Sequence, residues 1–360
     1  MKELYYTIYI AKNYKTRQVT EYMKKKKISM KDIAEALDVS INTVSLALNN
    51  KAGISDETRQ AIFKKAKELG YSIPSQIRPI RNIALLLSKR YTNNLSFYSR
   101  VVYGVTAYAR EHSYNIIVDF FDSNRPSLPQ AVLNSSVDGI LTAGGISEEF
   151  LGLLSDTHLP FVLIDHISYH TPTDSVGTQN LYGSYTATDY MIRKNHQTLG
   201  FIGDIHYSNN LRERWLGFSN CIADHKQDGI CQTPEQYSIL SDIAPSVISM
   251  NYNRLAKELK EMPSLPEGFV CCNDETAICL YQALDTMGIR PGRDISVIGF
   301  DDIENSTLVQ PNLTTMHIPK KQMGEAAIAR LCSRIDNPGL PIQNISLPVY
   351  LVERRSIVNK

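Results

Sequence analysis

The stretch MKDIAEALDVSINTVSLALNN, residues 30–50, decides how the chain is read. Met30, Ile33, Ala34 and Leu37 fall at helical spacing and give one apolar face over two turns. Asp38 can enter a tight-turn conformation, and Ser40 is a natural N-cap for a second helix. That helix starts at Ile41 and buries Val44, Ala47 and Leu48. "KAGIS" breaks it, and Ser55 caps a third, with Asp56 and Glu57 near its positive end. The third helix runs through Ile62, Phe63, Ala66 and Leu69 and stops at Gly70. Two short helices joined by a three-residue turn, with a third behind them, match a helix-turn-helix unit. A generic three-helix bundle is the competing reading; turn length, capping and basic surroundings favour the first.

In a helix-turn-helix the second helix lies in the major groove, its first residues against base edges. Ile41 and Asn42 hold those positions. Asn can pair at two points with adenine, and Ile can touch a thymine methyl. Ser40, Thr43, Ser45 and Asn49 are short hydrogen-bonders suited to phosphate oxygens, and Ser29, ahead of the first helix, joins the DNA-binding set.

Charge agrees. A net +1 hides an asymmetry: residues 23–81 carry 12 Lys/Arg against 6 Asp/Glu, whereas residues 82–360 carry 22 against 29. A basic module on an acidic body suits one end meeting a polyanion, although "KKKK" at 24–27 also reads as a solvated tail.

At 360 residues the chain exceeds one ordinary domain, and 43% hydrophobic with 21% charged residues is a soluble globular composition with ample core. It contains no apolar run of about 18 residues, so no membrane span is expected. The first 22 residues hold five tyrosines and no apolar signal-peptide core, which points to the cytoplasm. Six cysteines, at 221, 231, 271, 272, 279 and 332, show no zinc-finger spacing. Cys271 and Cys272, inside an apolar run, read as buried reduced thiols, and neither metal nor cofactor is expected.

From Ile83 short apolar runs alternate with amphipathic helices. The strands are "NIALLLS", "YNIIVDFF", "DGILTA", "PFVLID", "TLGFIGD", "GFVCCND" and "ISVIGFDD"; helices such as "FYSRVVYGVTAYAREH", "RERWLGFSNCIADH" and "ETAICLYQALDTMG" lie between them. Such alternation builds parallel sheets with helices on both faces, and about 275 residues suggest two lobes. Ligands of such folds bind where strand C-terminal ends open into a crevice. Asp165, Asn273, Asp274, Asp301 and Asp302 directly succeed apolar strands, and Arg214 opens a helix. Each acid alone also reads as a helix N-cap. Together they can line one polar cleft suited to a sugar or other small polar ligand. His166 reads as cleft lining.

The headpiece "ISMKDIAEALDVSINTVSLALNN…GISDETRQAIFKKAKELGYSIPS" resembles the DNA-binding unit of the lactose-repressor (LacI/GalR) family. The resemblance extends over the body through "VDGILTAGG", "LPFVLIDH", "RERWLGF", "CCNDETAI", "MGIRPGRDISVIGFDDI" and "QPNLTTMHIP". It implies an α/β chain with an N-terminal helix-turn-helix headpiece, followed by a two-lobed, periplasmic-binding-protein-like body of parallel sheets flanked by helices. It places Ile41, Asn42 and Leu46 at base-reading positions, where Leu46 departs from the family's usual Arg. Effector contacts are implied for Asp165, Arg214, Asn273 and Asp301, with Tyr98 and Arg90 in the loop after the first strand. Gln179 stands before Asn180 where the family usually has Asp. The implied function is a dimeric bacterial transcription regulator, a repressor of a carbohydrate uptake or catabolism operon, bound to a near-palindromic double-stranded operator and controlled by a sugar-like effector.

The segments are then 1–22, an N-terminal extension; 23–72, the headpiece; 73–82, a short hinge; and 83–360, two discontinuous lobes with crossovers near Thr178, His317 and Pro348. The family's hinge helix is shortened here and interrupted by Pro79. Arg78 and Arg81 form either a basic arm reaching DNA or part of an extended linker. An enzyme reading finds no G-x-G-x-x-G, P-loop, nucleophile elbow or His/Cys metal set. A solute-binding protein would lack the basic headpiece, and a body that senses a partner protein remains open. Residues 1–22 are expected to be disordered or a product of start-site choice. A chain begun at Met23 should therefore keep full operator affinity in a gel-shift titration; loss of binding would show that the extension takes part.

Overall fold

The computed structural model describes residues 28–48, 51, 53–71, 81–89, 95–122, 127–134 and 136–360. The expectations placed on residues 1–22, Asn49, Arg78, Pro79 and Arg90 lie outside the described residues. Residues 1–80 and 81–360 form separate compact units.

In the first unit α1 spans Met30–Leu37, α2 Ile41–Leu48 and α3 Asp56–Leu69. Ser29 and Asp32 close a capping box on α1: the Ser29 amide donates to Asp32 Oδ2 at 2.7 Å and the Asp32 amide donates to Ser29 Oγ at 3.4 Å. Asp38 ends the helix at φ 53°, the left-handed turn a short polar residue tolerates. Ser40 Oγ then accepts from the Thr43 amide at 2.9 Å, so α2 starts where its cap dictates. Ile33, Val44, Ala47, Leu48, Ile62 and Ala66 form the shared core. Arg59, on α3, donates to the carbonyls of Ala47 at 3.3 Å and Lys51 at 2.8 Å. It thereby satisfies carbonyls that the end of α2 leaves without helical partners.

In the second unit β1 (Arg81–Ser88), β2 (Tyr114–Phe121), β3 (Gly139–Ala143), β4 (Phe161–Ile164), β5 (Asp174–Thr178) and β10 (Asn344–Leu347) form a parallel sheet in the order β10-β5-β4-β3-β1-β2. The other sheet has the order β11-β9-β8-β7-β6, from β6 (Leu199–Ile202), β7 (Gly268–Cys271), β8 (Ser296–Asp301), β9 (Thr314–His317) and β11 (Tyr350–Val352). It is parallel except for β11, which runs antiparallel to β9. The chain passes between the sheets after Thr178, after His317 and between Leu347 and Tyr350.

Helices α4 (Leu95–Glu111), α5 (Gln130–Leu133) and α6 (Glu148–Asp156) belong to the first sheet's half, and α7 (Asn180–Arg193), α8 (Asn209–Asp224), α9 (Ala244–Ile248), α10 (Asn253–Glu261) and α11 (Asp274–Asp285) to the second; α12 (Lys320–Asp336) returns to the first. Two helix pairs cross at glycines. A Cβ on Gly104 of α4 would fall on the Lys321 carbonyl of α12, one on Gly324 would meet the Val101 carbonyl, and one on Gly217 of α8 would meet the Leu181 carbonyl of α7. Backbones there approach too closely for any side chain.

The strands β5, β9, β10 and β11 have no apolar run, and the sequence pattern does not reveal them. β5 begins with Asp174, buried at 2% exposure because Arg330 Nε sits 2.7 Å and Arg334 Nε 3.0 Å from its carboxylate, while the Gln343 amide donates at 2.8 Å. Charge pairing replaces hydrophobicity there. One reading of Arg81 is overturned: it opens β1 and pairs with Asp336 at 2.8 Å, so the body's first strand starts there and Arg81 is not an arm toward DNA.

The crossings give a stability test. Gly104→Ala should lower the melting free energy by about 1–3 kcal/mol through overpacking. Gly152→Ala, in α6 with nothing within 4 Å of the added methyl, should be neutral or stabilising. Equal effects in denaturant titrations would contradict the close crossing.

Candidate functional site

A cavity of about 280 Å³ opens at the C-terminal ends of the strands, lined from both sheets' halves. Asp165, directly after β4, and Asp301, the last residue of β8, line it with φ of 59° and 108°. Positive φ at non-glycine residues is costly and is held only where surroundings over-determine it. Here the turned backbone accompanies two carboxylates at the mouth of the sheets.

Arg214 of α8 is 4% exposed and crosses between these strand ends. Its Nε donates to Asn180 Oδ1 at 2.9 Å, its Nη1 to the Cys272 carbonyl at 2.6 Å, and the guanidinium lies 3.8 Å over the Phe300 ring. Nη1 also stands 3.1 Å from Asp301 Oδ1, but without hydrogen-bond alignment, and that oxygen is buried with no hydrogen-bond partner. The pair is a buried charge contact.

The two halves meet across the cavity. Tyr98 donates to Asp165 Oδ2 at 2.9 Å from one side, and Asn210 Nδ2 donates to Asp165 Oδ1 at 2.7 Å from the other. Burial pushes the Asp165 carboxyl up to about 6, against the opposing pull of Arg214 and Tyr98. Burial first, and Asp165 second, raise the Tyr98 phenol well above its usual range. Burial and then Asp301 push Glu275 up to about 8, and burial also raises Asp301. A crowded, desolvated acidic site produces this pattern.

The expected effector residues Tyr98, Asp165, Arg214, Asn273 and Asp301 all line this cavity, as does His166. Tyr98 lies in α4, not in the loop before it. Asn273 has both roles: its Oδ1 accepts from the Thr276 amide at 2.9 Å as the cap of α11, and its other face meets the cavity. Asp274 and Asp302 do not line it. Asp274 is fully buried, accepting from the Ile303 amide at 2.9 Å and bonded to Thr315 Oγ1 at 2.5 Å; Asp302 pairs with His317 at 2.7 Å and Arg354 at 2.5 Å. A strand-end position alone does not separate lining acids from structural ones.

Sequence reasoning passed over two features. Asn210 lines the cavity and Asn180 holds Arg214, and both lie in helix openings whose spacing carries no such signal. The residues Ile243, Ala244, Val247, Ile248 and Met250 form an apolar wall of the cavity. Their segment comes after Ile239, which bridges Ile202 in parallel and is carried past the end of β6.

In the first unit Ile41 is 49% exposed and Asn42 is exposed, while Leu46 is half-buried. Ser29 and Ser40 are exposed but occupied as caps, and Ser40 Oγ lies 2.8 Å from Thr43 Oγ1. Ser45 is half-buried on the same helix.

Away from the cavity Asp189, Cys221 and His225 bring three donor atoms within 4.8 Å of one another. His225 Nε2 already faces Asp189 at 3.2 Å, Arg193 holds the same carboxylate at 2.7 Å, and burial pushes the Cys221 thiol up to about 12. The imidazole and the Arg193 guanidinium share the Asp189 carboxylate. No described helix is long and apolar enough to cross a membrane.

Comparison with known proteins agrees with this architecture. Residues 29–74 match the bacterial regulatory proteins of the lacI family, and residues 188–357 match a periplasmic binding protein-like domain. The chain is 30% identical to the ribose operon repressor of Haemophilus influenzae over 91% of its own length and 98% of the relative's. It is 28% identical to the transcriptional repressor PurR of Escherichia coli, over 92% and 97%. A lac repressor dimer bound to operator and the anti-inducer ONPF superposes with a TM-score of 0.66 at 22% identity, covering 92% of this chain and all of that one. A family regulator from Enterococcus faecium with bound ribose gives 0.66 at 23% identity, covering 78% of this chain and all of that one. The chain belongs to the lacI family of bacterial regulatory proteins and is a DNA-binding transcriptional repressor.

Proposed function

We propose that the chain represses a carbohydrate operon as a homodimer on a near-palindromic operator, and that a small polyhydroxylated effector in the body's cavity sets its affinity. The observation that carries this is the cavity itself: carboxylates, amides and a buried guanidinium converge at strand ends, and the carboxylates call for hydrogen-bond donors. Hydroxyl pairs supply such donors. The H. influenzae relative is a ribose operon repressor and the E. faecium neighbour holds ribose, which favours a sugar. The reading is of a cytoplasmic regulator and not an enzyme, in keeping with the H. influenzae and E. coli relatives, which are transcriptional repressors. The effector acts by preferring one degree of closure between the lobes, and only differential affinity for two states shifts the equilibrium.

On the DNA side Ile41, Asn42 and Leu46 read base edges, and Ser29, Ser40, Thr43 and Ser45 set the register on phosphates. In fluorescence anisotropy on its own or adjacent promoters, the chain should bind specifically and with strong salt dependence. Asn42→Ala should cost roughly 1–3 kcal/mol of discrimination against mismatched operators, and Leu46→Arg should change the preferred operator. Unchanged specificity in Asn42→Ala would mean that another face reads the groove. Effector affinity should also depend on pH. The Asp165 carboxyl, pushed up to about 6, accepts ligand hydroxyls most strongly when ionised, so calorimetric affinity for the effector should weaken as pH drops through 6. Asp165→Asn should flatten that dependence; an unaltered pH profile in this variant would remove Asp165 from the contact set.

A further inference from the structure

Helices α7 and α8 pack through one stripe of each. A Cβ on Gly217 of α8 would fall on the Leu181 carbonyl and touch the Tyr185 amide of α7. Residues four and eight positions further along share a helix face with Gly217, so Cys221 and His225 continue the stripe toward the same neighbour. On α7 the matching steps from Leu181 and Tyr185 reach Asp189. The glycine crossing thus delivers a thiol, an imidazole and a carboxylate to one seam. The sequence there, CIADH at 221–225, has none of the paired-cysteine spacing of a zinc finger, which is why the cysteine pattern alone gives no expectation of a metal.

One donor atom from each of the three residues lies within 4.8 Å of the other two. His225 Nδ1 donates to the Cys221 carbonyl at 3.0 Å, which fixes the ring and presents Nε2, 3.2 Å from Asp189 Oδ1. Metal-bound imidazoles are oriented in this way, through a backbone carbonyl on the other nitrogen. Tetrahedral bonds of about 2.0–2.3 Å place ligands about 3.3–3.6 Å apart, so a side-chain adjustment of about 1 Å brings all three atoms onto one ion.

Charge favours a cation. Cys221 is fully buried, and burial first, then Asp189 and Asp224, push its thiol up to about 12 against the pull of Arg193. Surroundings that disfavour a bare thiolate favour an ion that takes the place of the thiol proton. The Asp189 and His225 side chains keep 19% and 18% exposure, so an ion reaches the seam from solvent and water can complete its coordination. Arg193, 78% exposed, holds Asp189 through Oδ2, and Oδ1 faces the seam.

We propose that Asp189 Oδ1, Cys221 Sγ and His225 Nε2 form a binding site for one zinc-like divalent ion that bridges α7 and α8. Thiolate with imidazole selects such ions over magnesium and calcium, which take oxygen ligands. Both helices begin at the Arg214 network, joined by Arg214 and Asn180. An ion near their other ends clamps the same pair.

The test uses the full, untagged chain after chelator treatment, titrated with cobalt(II) and then with zinc. One equivalent of cobalt per chain should give a thiolate-to-metal absorption band that zinc abolishes, and affinity should rise with pH as the thiol proton is displaced. Zinc should raise the melting temperature, because it binds the folded chain. Cys221→Ala should lose the thiolate band, and Asp189→Asn and His225→Gln should each weaken binding by about 10-fold or more. Cys231→Ser, which removes an exposed thiol, should bind as the parent does. Melting of the metal-free variants establishes that each is folded. No thiolate band in the parent, a band that survives in folded Cys221→Ala, or one lost in Cys231→Ser would overturn the site. Should Cys221→Ala not fold, unchanged cobalt binding in both Asp189→Asn and His225→Gln would overturn it equally.

Discussion

The body depends on one buried guanidinium. Arg214 reaches from α8 to the first residue of α7 at a crossover, to the carbonyl after β7, and to the carboxylate that ends β8. Burying such a charge is unfavourable unless its donors are met, and breaking a buried pair costs about 3–5 kcal/mol. The positions that meet those donors therefore fix where the crossover begins relative to the strand ends. Asn180 in turn donates to Glu213 Oε2 at 3.1 Å, the residue beside Arg214, which closes the network on itself. One side chain thus sets the geometry of the cavity and supplies its positive charge.

Around that point the cavity is a balance of desolvated groups. Asp165 is shared by Tyr98 of the first lobe and Asn210 of the second, so the contact spanning the cavity uses the same carboxylate that faces a ligand. A ligand hydroxyl and Asn210 compete for, or share, one acceptor. On the proposed reading, occupancy of the cavity and closure of the lobes would be linked through that oxygen pair, the kind of two-state element that regulation of DNA affinity requires.

The headpiece was legible almost residue by residue. Its caps Ser40 and Ser55, its left-handed Asp38 and its Gly70 stop are local decisions, made within three or four residues and visible as patterns, whereas Ser29 was read as a DNA contact and not as the cap of α1. The strands from β1 to β8, apart from β5, were equally visible as apolar runs. What stayed hidden is non-local. β5 is buried through Arg330 and Arg334, about 156 to 160 positions away in sequence, and no window around Asp174 reveals them. The division of the strand-end acids also escaped the pattern: Asp301 lines the cavity while its neighbour Asp302 is consumed by His317 and Arg354. The aliphatic wall was missed because α9 is five residues long, too short to show a period.

The central claim is that cavity and operator are coupled, and coupling between two ligands must be reciprocal. The direct measurement is a thermodynamic cycle on the full chain. Operator affinity is taken with and without a saturating sugar that binds the cavity in calorimetric titration, and sugar affinity with and without operator DNA. The account predicts the same factor, in the same direction, from both arms, and a factor of one in both arms for Arg214→Met. Sugar binding that leaves operator affinity unchanged would contradict it, because the cavity would then bind a ligand without regulating anything.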